Sequence, residues 1–202
     1  MSVVAPELRP AQAAAWHALF ALHHRLPSGW TLVGGQMVQS LCWERGAAPN
    51  RPTVDADAVL DVRSQPHMLF AFTAALRDLG FAADGESFEG HQHRWVRGPA
   101  QIDVLIPRFL GPRADSRRGV TGGTTIAAPG AEGALRRTER VEHLVNGVLG
   151  AVLRPTLQGA ITAKAAALID GRPSVVRAAG VDGSAVERLR LALRLSDGGP
   201  AP

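Results

Sequence analysis

Apolar and polar positions change period several times along this chain, and each change marks an element. Between residues 9 and 26, "RPAQAAAWHALFALHHRL" sets Trp16, Leu19, Phe20 and His23 at helical spacing behind Pro10, a residue suited to a helix start. "PSGW" turns the chain into "TLVGG", a short apolar strand ending in glycines. "QMVQSLCWERG" returns to the helical period, with Met37, Val38, Leu41 and Cys42 on one face and Gly46 as its stop. "TVDADAVLDV" alternates with period two, which predicts a strand, and a helix is expected over 64–80, capped by Ser64 and ended by Gly80.

Two strands follow around "FAADG" and "HRWVRG", then "AQIDVLIP", whose Ile102, Val104, Leu105 and Ile106 suit a buried strand. Residues 111–133, rich in glycine, arginine, threonine and proline, predict a long mobile loop around a short strand at "TTIAA". "VEHLVNGVLGAVLRP" predicts a hairpin or a short helix entering the last strand, with Pro155 ending it. Helices are expected over 156–170 and 184–196, the second amphipathic, and "DGGPAP" reads as a disordered tail. The whole is an α/β arrangement: a small mixed sheet flanked by helices over 1–154, a C-terminal helical part over 155–196, and the tail 197–202.

Composition narrows the class without naming a function. A hydrophobic fraction of 46% and a charged fraction of 20% over 202 residues describe one well-buried globular domain. Cys42 is the lone cysteine, which rules out an intramolecular disulfide and argues against a cysteine-based zinc site. The N-terminal stretch has no signal-peptide pattern, and no run approaches the roughly 18 apolar residues of a membrane helix. A cytoplasmic, reduced setting with no membrane association is the expectation. Of the 22 basic residues 21 are arginine, a skew that fits a GC-rich genome and by itself says little about function. The one lysine, Lys164, stands in the alanine-rich helical stretch "TLQGAITAKAAALIDGR". A compact ammonium is a different tool from a planar guanidinium.

Candidate chemistry begins with Asp55 and Asp57. At i and i+2 on a strand they leave the same face, roughly 7 Å apart at their Cα atoms. Two carboxylates so placed repel unless something positive lies between them, and a hard divalent cation such as magnesium is the natural neutraliser. Asp103, an acid inside the apolar run "QIDVLIP", fits as a third ligand from a neighbouring strand, because a lone buried carboxylate is costly. Gly34 and Gly35 end a strand and open a helix, so backbone N–H groups can approach a phosphate closely. Thr53 offers a hydroxyl on the face of Asp55. Together these compose a nucleoside triphosphate cradle suited to metal-assisted phosphoryl transfer.

The order "LVGGQMVQSLCWERG", "RPTVDADAVLDV", "HRWVRGPAQIDVLIP", "TLQGAITAKAAALIDGR" resembles the AbiEii/AbiGii-type nucleotidyltransferases. These are toxin-like, MenA-related members of the DNA polymerase β-type superfamily, and the resemblance covers roughly residues 14 to 172. It implies a nucleotidyltransferase-type mixed sheet, with Gly34 and Gly35 as the nucleotide loop and Asp55 and Asp57 as the metal pair. It further implies Asp103 as the acid of the later strand, Lys164 as the helical lysine on phosphate, and Arg172 as the arginine that follows. Mg2+ or Mn2+ as cofactor, an NTP as substrate, an RNA acceptor such as a tRNA 3′ end, and a cognate antitoxin complete what it implies. The chain departs from the family in "DGRPSVVRAAGVDGSAVERL", where the expected acidic pair is absent or reduced to Asp182.

Plainer readings stand beside these. Asp55 and Asp57 on a water-facing strand, with Asp61 continuing their face, need no metal; Asp103 can pair with Arg94 or Arg108; Lys164 can be a solvated helix residue. His91 and His93 share a face if "HQHRW" is a strand, yet without a third ligand nearby they read as surface residues. Trp16, Trp30, Trp43 and Trp95 read as core or rim packing, and Arg113, Arg117, Arg118, Arg136, Arg137 and Arg140 as a basic surface or simply a solvated one. Two other functions also fit: a nucleotidyltransferase acting on a small molecule such as an aminoglycoside, and a non-catalytic nucleotide- or partner-binding relic.

Overall fold

A computed structural model of the chain describes residues 2–49, 53–87, 90–108 and 110–171, with side chains through 166. Arg172, Asp182, the helix expected over 184–196 and the tail lie outside the described residues. The elements run β1 (Val3–Val4), α1 (Pro10–Arg25), β2 (Trp30–Val33), α2 (Gly34–Glu44), β3 (Asp55–Leu60), α3 (Met68–Asp78), β4 (Ala82–Ala83), β5 (Arg94–Arg97) and β6 (Ala100–Pro107). They continue through α4 (Pro112–Asp115), β7 (Ile126–Ala128), α5 (Ala131–Arg136), β8 (Thr138–Val145), β9 (Val148–Pro155) and α6 (Leu157–Gly171). Among these residues no helix is long and apolar enough to cross a membrane.

The expected mixed α/β architecture is present, in two sheets rather than one. The larger has strand order β2-β3-β6-β5-β4, with β7 pairing β6 along the edge that β5 leaves free. β3 and β6 run parallel, whereas β2 and β5 run antiparallel to their neighbours. The smaller sheet has order β1-β8-β9; β8 and β9 form a hairpin that turns at Asn146 (φ 45°) and Gly147 (φ 81°), two left-handed residues of the kind a tight hairpin favours. The hairpin alternative for 141–155 is therefore the one realised.

Helix α1 supplies much of the core. Trp16, Leu19 and Leu22, spaced three apart, are fully buried, and the helix touches both sheets. Helix α3 buries Leu69, Phe72 and Leu76, and Phe72 meets Trp30 edge-on with ring centroids 5.6 Å apart. Each such aromatic or aliphatic side chain withdrawn from water contributes about 1.5–3 kcal/mol.

Two expectations are corrected. The helix expected over 64–80 starts only at Met68, and Ser64 is not its cap. Pro66 disfavours helical geometry at Gln65, and the Ser64 amide donates instead to Asp61 Oδ1 at 3.0 Å, closing a turn after β3. Asp61 lies just past the end of β3, in that turn. The segment 111–133 is not irregular throughout: α4 and the start of α5 lie within it around β7, and its turns are closed by bonds such as Gly119 N–H to Gly123 O at 2.8 Å.

Candidate active site

Alternation on β3 divides its side chains between two environments. Ala56 and Ala58 are fully buried on one face, while Asp55 and Asp57 leave from the other, half-buried. Small apolar residues let the strand press into the core, so the acids are held on a rigid support. The parallel register then sets Asp57 directly beside Asp103 on β6, and the antiparallel register sets Asp103 beside Arg94 on β5. Asp103 is only 7% exposed. One carboxylate oxygen from each of Asp55, Asp57 and Asp103 comes within 4.8 Å of the other two, and no other trio of possible metal ligands converges so among the described residues.

The electrostatics of this trio are one-sided. Burial above all, then Asp55 and Asp103, push the Asp57 carboxyl up from 3.8 to about 6, while Lys164 and Arg94 pull the other way. Arg94 grips Asp103 with two parallel hydrogen bonds, Nε to Oδ1 and Nη2 to Oδ2, each 3.0 Å. Asp103 is thus both a member of the trio and the partner of an arginine; the two readings open in the sequence hold together. That hydrogen-bonded pair holds the Arg94 proton still more firmly than usual. Three converging hard oxygen donors match the preference of Mg2+ or Mn2+ for a few carboxylates and open positions.

The glycines make room for these acids. Gly34, the first residue of α2, has φ +68°, and a Cβ on it would lie 1.7 Å from Asp57 Oδ2. A Cβ on Gly35 would meet Thr53 Cγ2 at 2.7 Å, and the Thr53 hydroxyl donates to Asp55 Oδ1. No side chain caps the N-terminus of α2, so its first N–H groups carry no internal partner and face the acids' end of β3. A cavity of about 220 Å³ opens there, lined by Gly34, Met37, Asp57, Gly130, Ala163 and Lys164 among others. Gly130 has a role in this as well: at φ +73°, a Cβ on it would strike the Ala163 carbonyl oxygen at 2.3 Å, so its absence lets α6 approach and bring Lys164 to the cavity.

Several supporting groups gave no signal in the sequence. Gln12 of α1 donates to the Thr53 carbonyl at 2.8 Å, anchoring the approach to β3, and Gln36 of α2 reaches the Val54 carbonyl at 3.5 Å. Helix α2 is also fastened to the smaller sheet. The Ser40 hydroxyl lies 2.7 Å from His143 Nε2, and fully buried Arg154 pairs with Glu44 at 2.7 Å and Glu139 at 3.0 Å. No period or motif announces such contacts, because each joins residues distant in sequence. Among the described residues His91 and His93 join no cluster of three possible metal ligands; His91 Nδ1 lies 2.9 Å from the Thr124 hydroxyl. Arg136 pairs with Glu132 and Arg140 with Glu142, so the arginines of 113–140 do not form one continuous basic face.

No family model matches the chain, and no curated protein matches it. The AbiEii/AbiGii resemblance therefore rests on the quoted motifs alone. Among solved structures the chain is similar to the solution structure of the antibiotic-resistance factor ANT(2'')-Ia, with a TM-score of 0.47, 14% identity and 95% of each chain covered. An identity this low, with a TM-score below 0.5, leaves the chemistry to be read from the carboxylates themselves.

Proposed function

We propose that this protein is a metal-dependent nucleotidyltransferase that moves a nucleoside monophosphate from an NTP to an acceptor hydroxyl, with RNA, such as a tRNA 3′ end, as the acceptor of a toxin-like activity. The observation that carries the reading is the convergence of Asp55, Asp57 and Asp103 at the glycine-opened start of α2. Asp55, Asp57 and Asp103 would hold the divalent cation, which when bound neutralises charge on the phosphates and on the leaving pyrophosphate. Gly34 and Gly35 leave the backbone of α2 open to the β- and γ-phosphates, whose charge the helix N-terminus favours. Lys164 adds a cation at the same cavity, and Arg172 is assigned a phosphate contact from the motif order alone.

In the reaction the acceptor oxygen forms a bond to the α-phosphorus as the bond from that phosphorus to the α,β-bridging oxygen breaks. Pyrophosphate leaves with the electron pair, and the acceptor's proton passes to the carboxylate cluster and on to water. Arg94 keeps Asp103 in one orientation throughout, because both its oxygens are held.

The test is label transfer from each α-labelled NTP, with Mg2+ and total tRNA, comparing the wild type with Asp55→Ala/Asp57→Ala. Label on RNA with wild type alone is expected. Magnesium-dependent NTP binding without transfer to RNA would redirect the reading to a small-molecule acceptor. Neither transfer nor NTP binding would leave a non-catalytic relic and refute the mechanism.

A further inference from the structure

A second charged feature lies beyond the other end of β3. β3 ends at Leu60 and Arg63 stands in the turn that follows it, whereas Asp55 and Asp57 stand at the start of the same strand. Here Arg63, Arg113, Arg117 and Arg118 surround a groove of about 670 Å³ whose remaining walls are Pro66, His67 and Phe70. No acid lines it. Phe70 is 54% exposed, unusual for a phenylalanine on a helix whose other large apolar residues are buried.

The arrangement is braced rather than incidental. Phe70 and Thr73 lie one turn apart on α3, and the Thr73 hydroxyl oxygen accepts the Val120 amide at 2.9 Å while donating to the Leu69 carbonyl at 2.7 Å. Gly119 sits so close to Thr73 that a Cβ on it would come within 3.0 Å of the hydroxyl. These contacts dock the segment bearing Arg113, Arg117 and Arg118 against α3, and the three arginines line the same groove as Phe70. The cations are unevenly used. Arg63 is paired with Glu132 at 3.1 Å and Arg118 donates to the Gly122 carbonyl at 2.6 Å, whereas Nη1 of Arg117 has no hydrogen-bond partner among the described residues.

We infer that this groove binds single-stranded nucleic acid, its arginines on the phosphates and a base stacked on Phe70. Planar guanidinium groups match phosphate oxygens in pairs, which a simple excess of positive charge would not require. The exposed ring decides between strand types, since stacking needs a base that is not already stacked within a duplex. The inference stands whether or not the carboxylate site transfers nucleotides, because no residue is shared between the two.

The experiment is fluorescence anisotropy of a short labelled oligouridylate on the full chain, with EDTA and no NTP, over a range of salt. The wild type should bind, and bind the same length of duplex more weakly. Arg113→Gln/Arg117→Gln should lower the slope of log affinity against log salt by about 1.4, about 0.7 for each phosphate contact on a single strand. Phe70→Ala should weaken binding about tenfold with the slope unchanged. Arg25→Gln, at a surface arginine outside the groove, should bind as the wild type does, separating the groove from the general positive charge of the chain. Circular dichroism confirms that each variant is folded. An unchanged slope in the double arginine variant overturns the inference, as does wild-type affinity in Phe70→Ala, which would mean a phosphate-only site. Equal competition by an acidic peptide also overturns it, in favour of a protein partner.

Discussion

Replacing Asp57 by asparagine should make the metal-free protein more stable while removing one ligand of the proposed cation site. Asparagine has nearly the same shape, so the change isolates charge. Burial, then Asp55 and Asp103, raise the Asp57 carboxyl from 3.8 to about 6. Below pH 3.8 the group is protonated whether the chain is folded or not, and its contribution to stability is fully present. As the pH climbs through 6, the folded protein must ionise it against its surroundings, and that contribution is lost. At about 1.4 kcal/mol for each pH unit between the two values, the loss is about 3 kcal/mol near neutral pH. Asparagine never ionises, so the variant escapes it. The assay is urea unfolding of both proteins in EDTA at acid and mildly alkaline pH. The variant's advantage should be small, about 0.5 kcal/mol, near pH 4 and about 3 kcal/mol near pH 8, the latter about 6–12 °C in Tm for a chain of this size. Added Mg2+ should then stabilise only the wild type. An advantage independent of pH, or none at all, would refute the claim that the carboxylates are held together against their own repulsion.

Other consequences follow from the same geometry. Gly34→Ala places a methyl group 1.7 Å from Asp57 Oδ2 at φ +68°, so it should cost more than the about 1–2 kcal/mol of left-handed strain alone and abolish the rise in Tm with Mg2+, both read from one pair of melts. Arg94 draws the Asp57 carboxyl downward, so Arg94→Gln should move the pH midpoint of Mg2+ binding, measured by calorimetry, to higher pH. His143 is fully buried and its pKa falls from 6.5 to about 4, through burial first. Its contribution is therefore complete above pH 6.5 and lost as the pH falls towards 4, by about 3 kcal/mol. His143→Gln should flatten that acid limb of the urea midpoint, even if it is less stable at neutral pH.

The sequence is most legible where one element speaks for itself. "AQIDVLIP" becomes β6 over its full length, because a continuous apolar run broken by one acid has few other solutions. Asp55 and Asp57 share a face for the same local reason. The register that sets Asp57 against Asp103 was not legible, since α3, β4 and β5 intervene and period alone does not choose a neighbour. Nor was the smaller sheet, whose first strand has only two residues. The pattern alone sets the start of α3 too early, because the apolar period runs on across Pro66, whereas the backbone of Gln65 is disfavoured from following it. Gln12, Gln36, His143 and Arg154 are polar residues that serve as core only through distant partners.

The hairpin β8–β9 has a bearing on how the molecule assembles. Its eight paired positions on each strand close around a two-residue turn, so its contacts are local and need little chain to be drawn in. The row Val33–Asp57–Asp103–Arg94 is the opposite case, spread over four strands, and its parallel step can form only after a long crossover has collapsed. The carboxylates accordingly meet late, once the rest of the chain has gained enough stabilisation to hold them together. The Asp57→Asn variant should then refold at nearly the wild-type rate and unfold more slowly. Its stability gain would lie in how long the native state lasts, and a faster refolding rate would place the acids in the nucleus instead.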